Sequence, residues 1–270
     1  MKILLNKNDL NEALYGVSKL GFVPTMGSLH MGHISLIKKS LNNCNKTIVS
    51  IFVNPTQFNN QKDYLKYPRN YKTDLSILRK LKVDYVFMPK NKDIYYFKRK
   101  TKIKLNKKDK ILCAKYRKGH FEGVIDVMDR LIKLINPKKI FMGEKDFQQL
   151  YLIKKYFNKN CKSKIITCKT IRDNNKLALS SRNLLLKKDE LIRAGNLAKN
   201  IISFKKKLKK TKNMKKILDF KKKQLNKVFD ISIEYFDLRN KFTLKNTNQI
   251  QNSKVFIGYY FNQIRLIDNF

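Results

Sequence analysis

Chemistry concentrates first in Gly21-Phe-Val-Pro-Thr-Met-Gly-Ser-Leu-His-Met-Gly-His33, which carries two of the chain's three histidines and three of its nine glycines. The pattern reads as a buried strand over Leu20 to Val23, a turn over Pro24 to Leu29, and a helix from His30 onward with apolar Ile34, Leu36 and Ile37. His30 and His33 then project from the first helical turn, where unbonded amides and the helix dipole favour an anion. Gly32 between them leaves no side chain in the path of a flat ring or a phosphate. The arrangement suits a nucleotide phosphate. The same pair would also serve as surface histidines or a chance metal pair, but zinc needs further ligands and no third His or Cys lies at a ligand spacing nearby.

Other segments carry complementary chemistry. In Ile48-Val-Ser-Ile-Phe-Val-Asn-Pro-Thr-Gln-Phe58 a strand stops at Asn54-Pro55 and delivers Asn54, Thr56 and Gln57 to the loop beyond. Their donors and acceptors suit a ligand with hydroxyl and carboxylate groups, and an ordinary Asn-Pro turn accounts for them equally well. Phe141-Met-Gly-Glu-Lys-Asp-Phe-Gln-Gln149 reads as strand, glycine turn and helix start; Lys145 can neutralise phosphate, while Asp146 can bind magnesium or ribose, or simply cap the helix with Gln149 three residues on. Leu179-Ser-Ser-Arg-Asn183 sets two hydroxyls and a guanidinium before a helix. Gly119-His-Phe-Glu-Gly123 brings the third histidine, His120, to the start of another. Taken together, His30, His33, Lys145, Ser180, Ser181 and Arg182 form a donor-rich cationic set fit to hold a triphosphate during attack on its α-phosphorus. With no Gly-x-x-x-x-Gly-Lys-Ser/Thr loop and no Ser-His-Asp or Cys-His set in view, nucleotidyl transfer is favoured over phosphoryl transfer.

These residues need a scaffold, and apolar runs alternate with amphipathic ones. Strands are expected at Leu20 to Val23, Thr47 to Val53, Val83 to Met88, Lys139 to Met142 and Lys164 to Thr170. Helices are expected at His33 to Leu41, Arg69 to Leu81, Val124 to Ile135 and Asp146 to Phe157. Such alternation means an α/β fold with a parallel sheet, whose ligands bind beyond the carboxyl ends of the strands. Asn91 to Lys110 is irregular and charged, and is expected to be an excursion with a hairpin. From about Ile171 the texture becomes that of a smaller α+β domain: helices over Leu184 to Lys209 and Met214 to Val228, then strands over Ile231 to Leu238, Val255 to Tyr260 and Gln263 to Ile267. The expected domains are therefore residues 1–170 and 171–270.

The chain has 270 residues, 42% of them hydrophobic, and a formal net charge of +41 from 61 Lys and Arg against 20 Asp and Glu. Most of the basic residues are lysines, and Asn, Ile, Phe and Tyr are also plentiful, all with AT-rich codons; base composition explains the pattern without a specific nucleic-acid site. On that background the few His, Gly and Pro mark positions where a substitute would not serve. Four cysteines show no framework spacing and read as reduced thiols. No apolar run is long enough for a membrane span and the opening apolar stretch is too short for a signal peptide, so a cytoplasmic protein without a membrane partner is expected.

Pro24-Thr-Met-Gly-Ser-Leu-His-Met-Gly-His33, Val49-Ser-Ile-Phe-Val-Asn-Pro-Thr-Gln-Phe58, Tyr67-Pro-Arg69, Gly119-His-Phe121, Gly143-Glu-Lys-Asp-Phe-Gln-Gln149, Ser180-Ser-Arg-Asn183 and Arg265-Leu-Ile-Asp-Asn269, in this order, resemble the pantoate–β-alanine ligase (pantothenate synthetase) family over nearly the whole chain. The resemblance implies a Rossmann-like nucleotidyltransferase domain, a smaller carboxy-terminal lid domain and a homodimer. It also implies the reaction: pantoate and ATP, with magnesium, give pantoyl adenylate and pyrophosphate, and the amine of β-alanine then displaces AMP. On this chain it implies that Met26, Gly27, Ser28, Leu29, His30, Met31, Gly32 and His33 line the ATP site, with His33, His30 and Lys145 catalytic. Gly143, Glu144, Lys145, Asp146, Ile171, Leu179, Ser180, Ser181 and Arg182 complete the nucleotide contacts; Gln57 and Gln149 grip pantoate with Asn54 nearby, and Arg117 and His120 are secondary candidates. Magnesium would travel on ATP, with Asp146 as a candidate ligand. Met31, Asn59, Glu122 and the turn Asp173-Asn-Asn-Lys176, which replaces one ending in Asp-Gly, depart from the family pattern. Two rivals stand beside this reading. One is another adenylyltransferase with the His-x-Gly-His signature, disfavoured by the Asn-Pro-Thr-Gln and Gly-Glu-Lys-Asp segments; the other is a basic nucleic-acid binder, which would show salt-dependent binding without ATP turnover.

Overall fold

The structure is a computed structural model describing residues 1–99, 101–157 and 161–270. Two compact units divide the chain: Met1–Glu144 with Gln149–Lys169, and Lys145–Gln148 with Thr170–Phe270.

The first unit is built on strands β1 (Lys2–Leu4), β2 (Leu20–Thr25), β3 (Lys46–Ile51), β4 (Tyr85–Phe87), β5 (Lys139–Gly143) and β6 (Lys164–Cys168). They form one sheet in the order β1-β4-β3-β2-β5-β6, and every pairing is parallel. The helices between them are α1 (Lys7–Leu14), α2 (Met31–Leu41), α3 (Gln61–Lys66), α4 (Tyr71–Lys80), α5 (Asn91–Ile94), α6 (Cys113–Tyr116), α7 (His120–Ile135) and α8 (Phe147–Phe157). After β2 the chain lays strands outward on one side, then crosses to lay β5 and β6 on the other. The carboxyl ends of β2 and β5 therefore flank the point where strand order reverses, the usual place for a ligand in an open parallel sheet. Val23, Val49, Ile51, Val86 and Phe141 from the strands pack with Leu36, Ile37 and Leu78 from α2 and α4 in one buried cluster.

Each expected strand and helix of this unit is present, with ends that differ by a few residues. The sequence reading missed β1, α1 and the short helices α3, α5 and α6: β1 buries only Leu4, α1 only Leu10, and the other three run four to six residues, so none shows a repeat long enough to detect. The hairpin expected in Asn91 to Lys110 is not there among the described residues, which show α5 and a 3-10 turn at Lys107–Asp109. Its physical replacement is Arg130 of α7, whose guanidinium lies 4.7 Å from the Tyr95 ring and 4.5 Å from the Phe97 ring and donates at 3.1 Å to both Ile94 O and Phe97 O. Arg99 then pairs with Asp126 at 2.7 Å and with Asp129. Carbonyls that a hairpin ladder would have satisfied are met by a buried side chain instead.

The second unit has an antiparallel sheet of β7 (Ser232–Asn240), β8 (Ser253–Phe261) and β9 (Ile264–Asn269), preceded by helices α9 (Lys188–Lys207) and α10 (Met214–Phe229). Ala194, Leu197 and Ile201 of α9 and Met214, Leu218 and Leu225 of α10 recur every three to four residues and pack with Ile233, Phe236, Val255 and Ile257. Lysines fill much of the outer faces. A tight turn closes Ile171 onto Leu179, with Leu179 N donating to Ile171 O at 3.0 Å. Lys176 stands in this turn at φ 71°, a backbone conformation that favours glycine, and Arg172 Nη1 donates to its carbonyl at 2.8 Å. No helix among the described residues is long and apolar enough to cross a membrane.

Candidate active site

The loop beyond β2 is shaped by left-handed backbone at Gly27 (φ 79°) and Ser28 (φ 52°). A Cβ on Gly27 would stand 3.0 Å from both Asp74 Oδ2 and Ile51 Cγ2, so glycine is favoured there by φ and fits a tight space. Asp74, on α4 and 1% exposed, explains the turn: its Oδ2 accepts from Ser28 N at 2.8 Å and its Oδ1 from Leu29 N at 2.7 Å. One buried carboxylate thus holds both amides that precede His30. Nothing in its local sequence, an acid in the first turn of a helix, marks it out.

His30 is the N-cap of α2. Its Nδ1 accepts from Gly32 N at 3.1 Å, while His33 Nδ1 accepts from His30 N at 3.4 Å. The ring centroids are 4.1 Å apart. A neutral imidazole that accepts at Nδ1 carries its proton on Nε2, the tautomer these contacts assign to both rings. This corrects two details of the sequence reading. The amides of His30 and Gly32 are already taken by imidazole nitrogens. The flat group that Gly32 admits is the His30 ring itself: a Cβ there would lie 2.7 Å from its Cε1 and 2.8 Å from its Nδ1.

Met26, Asn54 and Gln57 come together beside this loop. Asn54 Nδ2 donates to Gln57 Oε1 at 3.3 Å, and Gln57 Nε2 lies 2.6 Å from Met26 Sδ. Asn54 is 1% exposed, and its Oδ1 accepts from Thr56 N (3.3 Å), Thr56 Oγ1 (3.1 Å) and Tyr95 OH (2.7 Å). Its polar atoms are turned onto the protein, so it sets the loop while Gln57 lies next to Met26. Tyr95 was missed because it sits in the segment read as an excursion; burial pushes its phenol up from the ordinary value, which keeps the hydroxyl protonated as a donor.

His120 opens α7 and is buried. Arg117 Nη1 lies 2.9 Å from its Nε2, and its Nδ1 lies 2.7 Å from Gln57 O. A guanidinium only donates and a carbonyl only accepts, so this ring carries its proton on Nδ1 and ties α7 to Gln57. Gly123, one turn on, permits the approach: a Cβ there would be 2.4 Å from Thr56 O. Asn59, the departure after Gln57-Phe58, donates to Lys118 O beside the same turn. Arg69 of Tyr67-Pro-Arg69 donates to the carbonyls of Tyr64 at 2.9 Å and of Leu65 and Tyr67 at 3.2 Å, closing its own loop.

Gly143 ends β5 next to β2, and Glu144 closes the first stretch of the unit. Gln149 lies half-buried in the first turn of α8. In the second unit, Lys145 Nζ is 3.6 Å from Asp146 Oδ1, and the Asp146 side chain is 48% exposed. Ser180 caps a 3-10 turn at Ser181–Leu185, its side chain accepting from Arg182 N at 3.3 Å, and Ser181 is buried. The Ile171–Leu179 closure brings those two residues side by side. No group of three or more His, Cys, Asp or Glu with metal-binding geometry occurs among the described residues.

The family model described as Pantoate-beta-alanine ligase matches residues 2–270. A pantothenate synthetase of Flavobacterium psychrophilum is 39% identical over 97% of this chain and 95% of that relative, and one of Clostridium botulinum is 41% identical over 93% and 90%. Among solved structures, a pantoate-beta-alanine ligase of Francisella tularensis, complexed with beta-gamma ATP and beta-alanine, superposes with a TM-score of 0.86 at 36% identity, covering 100% of this chain and 97% of that one. A pantothenate synthetase of Thermus thermophilus gives 0.88 at 26% identity, covering 100% and 99%.

Proposed function

The chain belongs to the pantoate–β-alanine ligase family, and on that premise we propose that the loop from Met26 to His33 holds the triphosphate of ATP while Gln57 and Gln149 hold pantoate. The overall reaction is the ATP-dependent condensation of pantoate with β-alanine. A carboxylate is a poor acyl donor, so a pantoate oxygen attacks the α-phosphorus, the bond to pyrophosphate breaks, and pantoyl adenylate results. The β-alanine amine then attacks the acyl carbon, losing a proton, and AMP departs with the electron pair of the broken acyl–oxygen bond.

The observation that carries this reading is the pair of imidazoles at the start of α2, each accepting a backbone amide at Nδ1 and backed by a helix N-terminus. Donors fixed in advance stabilise negative charge as it develops on the triphosphate, and His33 and His30 act in that role. Lys145 supplies a full positive charge to the same transfer, and Ser180, Ser181 and Arg182 add donors for phosphate. Asp146 is half exposed and would share a magnesium ion with phosphate oxygens, a donor set that magnesium favours over an all-protein cage. Magnesium so held would neutralise phosphate charge. The second unit acts as a lid, the chain works as a homodimer, and its place is the cytoplasm.

The test is AMP formation from ATP. It should require both pantoate and β-alanine, while pyrophosphate release should require pantoate alone. Turnover with either acid omitted would sink the assignment.

A further inference from the structure

Lys145 to Gln148 belong to the second unit although the chain on both sides belongs to the first. They meet the last strand and its neighbour. Phe147 packs edge-on against Phe256 with centroids 5.6 Å apart, and Lys254 Nζ lies 5.3 Å from the Phe147 ring. The Asn269 side chain, at the end of β9, donates through Nδ2 to Lys145 O at 3.0 Å, joining residues 124 apart in sequence.

Asn269 is itself held from every side. It is 3% exposed; its Oδ1 accepts from Lys254 Nζ at 2.9 Å, its backbone N donates to Asp268 Oδ1 at 2.7 Å, and its carbonyl accepts from Arg172 Nη2 at 3.1 Å. Arg172 also grips Asp268 with two bonds of 2.7 and 2.8 Å. The end of a strand needs no buried amide aimed at a carbonyl on a remote loop. We propose that Asn269 is a positioning residue for Lys145, fixing the backbone from which the ammonium reaches the transferring phosphate. Arg172 and Asp268 lock Asn269 in that pose, and because Arg172 also holds Lys176 O, the same anchor supports the Ile171–Leu179 closure.

The inference rests on the reading that Lys145 stabilises charge during adenylation, and the test separates the two. Asn269→Asp keeps the acceptor for Lys254 but sets an acceptor against Lys145 O. Pyrophosphate release from ATP and pantoate should fall roughly tenfold to a hundredfold in kcat, since small misplacements of a reacting group cost that much. The KM for pantoate should hold, because the pantoate grips lie on other residues. In a Lys145→Ala background the same substitution should cost less than twofold, the non-additivity expected of a residue acting through another. Asn269→Ser, which removes the donor without adding charge, carries the same expectations and stands in if Asn269→Asp does not fold. Normal turnover in the folded variant, or an undiminished loss in the Lys145→Ala background, overturns the proposal. Normal pyrophosphate release by Lys145→Ala alone overturns the reading beneath it.

Discussion

The first unit opens two helices on histidine, and the rings face opposite duties. At α2, His30 and His33 accept backbone amides through Nδ1, which leaves the proton on Nε2. At α7, His120 donates through Nδ1 to a carbonyl 63 residues back in the chain and takes a guanidinium hydrogen on Nε2. In the first arrangement each bond to Nδ1 closes within three residues of chain. The second spends both nitrogens on the protein. Where the partners of its nitrogens lie thus decides which tautomer a histidine at a helix start adopts.

Substitutions can break this contrast. His33→Ala should have the largest effect, lowering the rate of pyrophosphate release about a hundredfold, as loss of one well-aimed donor does; single-turnover measurement would show it, and a near-normal rate would remove His33 from the chemistry. Asp74→Asn comes next. It replaces an acceptor with an amide that cannot satisfy both Ser28 N and Leu29 N, and should lower kcat roughly tenfold by letting the loop before His30 shift. His120→Ala should act instead on binding and stability: the KM for pantoate rises several-fold, and denaturant titration shows a loss of about 2 kcal/mol as buried partners are left unmet. A hundredfold fall in kcat there would erase the distinction between the two helix starts. The smallest change is Gly32→Ala, which displaces the His30 ring and removes a cap worth about 1 kcal/mol, read as a lowered melting temperature.

Much of this was legible in residue order because the chemistry is local. His30, Gly32 and His33 bond among themselves, and Asn54, Thr56 and Gln57 do likewise, so spacing alone shows them as sets. What escaped depends on long-range partners of ordinary composition. Asp74 looks like any acid in a helical first turn; only the fold reveals that its oxygens meet amides 45 and 46 residues earlier. Tyr95 and the irregular segment around it show no periodicity because Arg130, far along the chain, supplies their hydrogen bonds and stacking. Lys176 looked like a disruption of its turn, but Arg172 and the Asp173 side chain, which accepts from Leu177 N at 2.9 Å, hold the left-handed residue in place.

The brief passage of Lys145 to Gln148 through the second unit means that the backbone changes unit three times, after Glu144, after Gln148 and after Lys169. No single cut therefore yields two self-sufficient halves. A fragment ending at Lys169 would carry Phe147 without Phe256 and Lys145 without Asn269, and a fragment beginning at Thr170 would display an anchor with nothing to hold. Recombination that exchanged either half with a distant relative would have to match the four-residue stitch as well, so the two units are bound to descend, and to diverge, as one heritable piece.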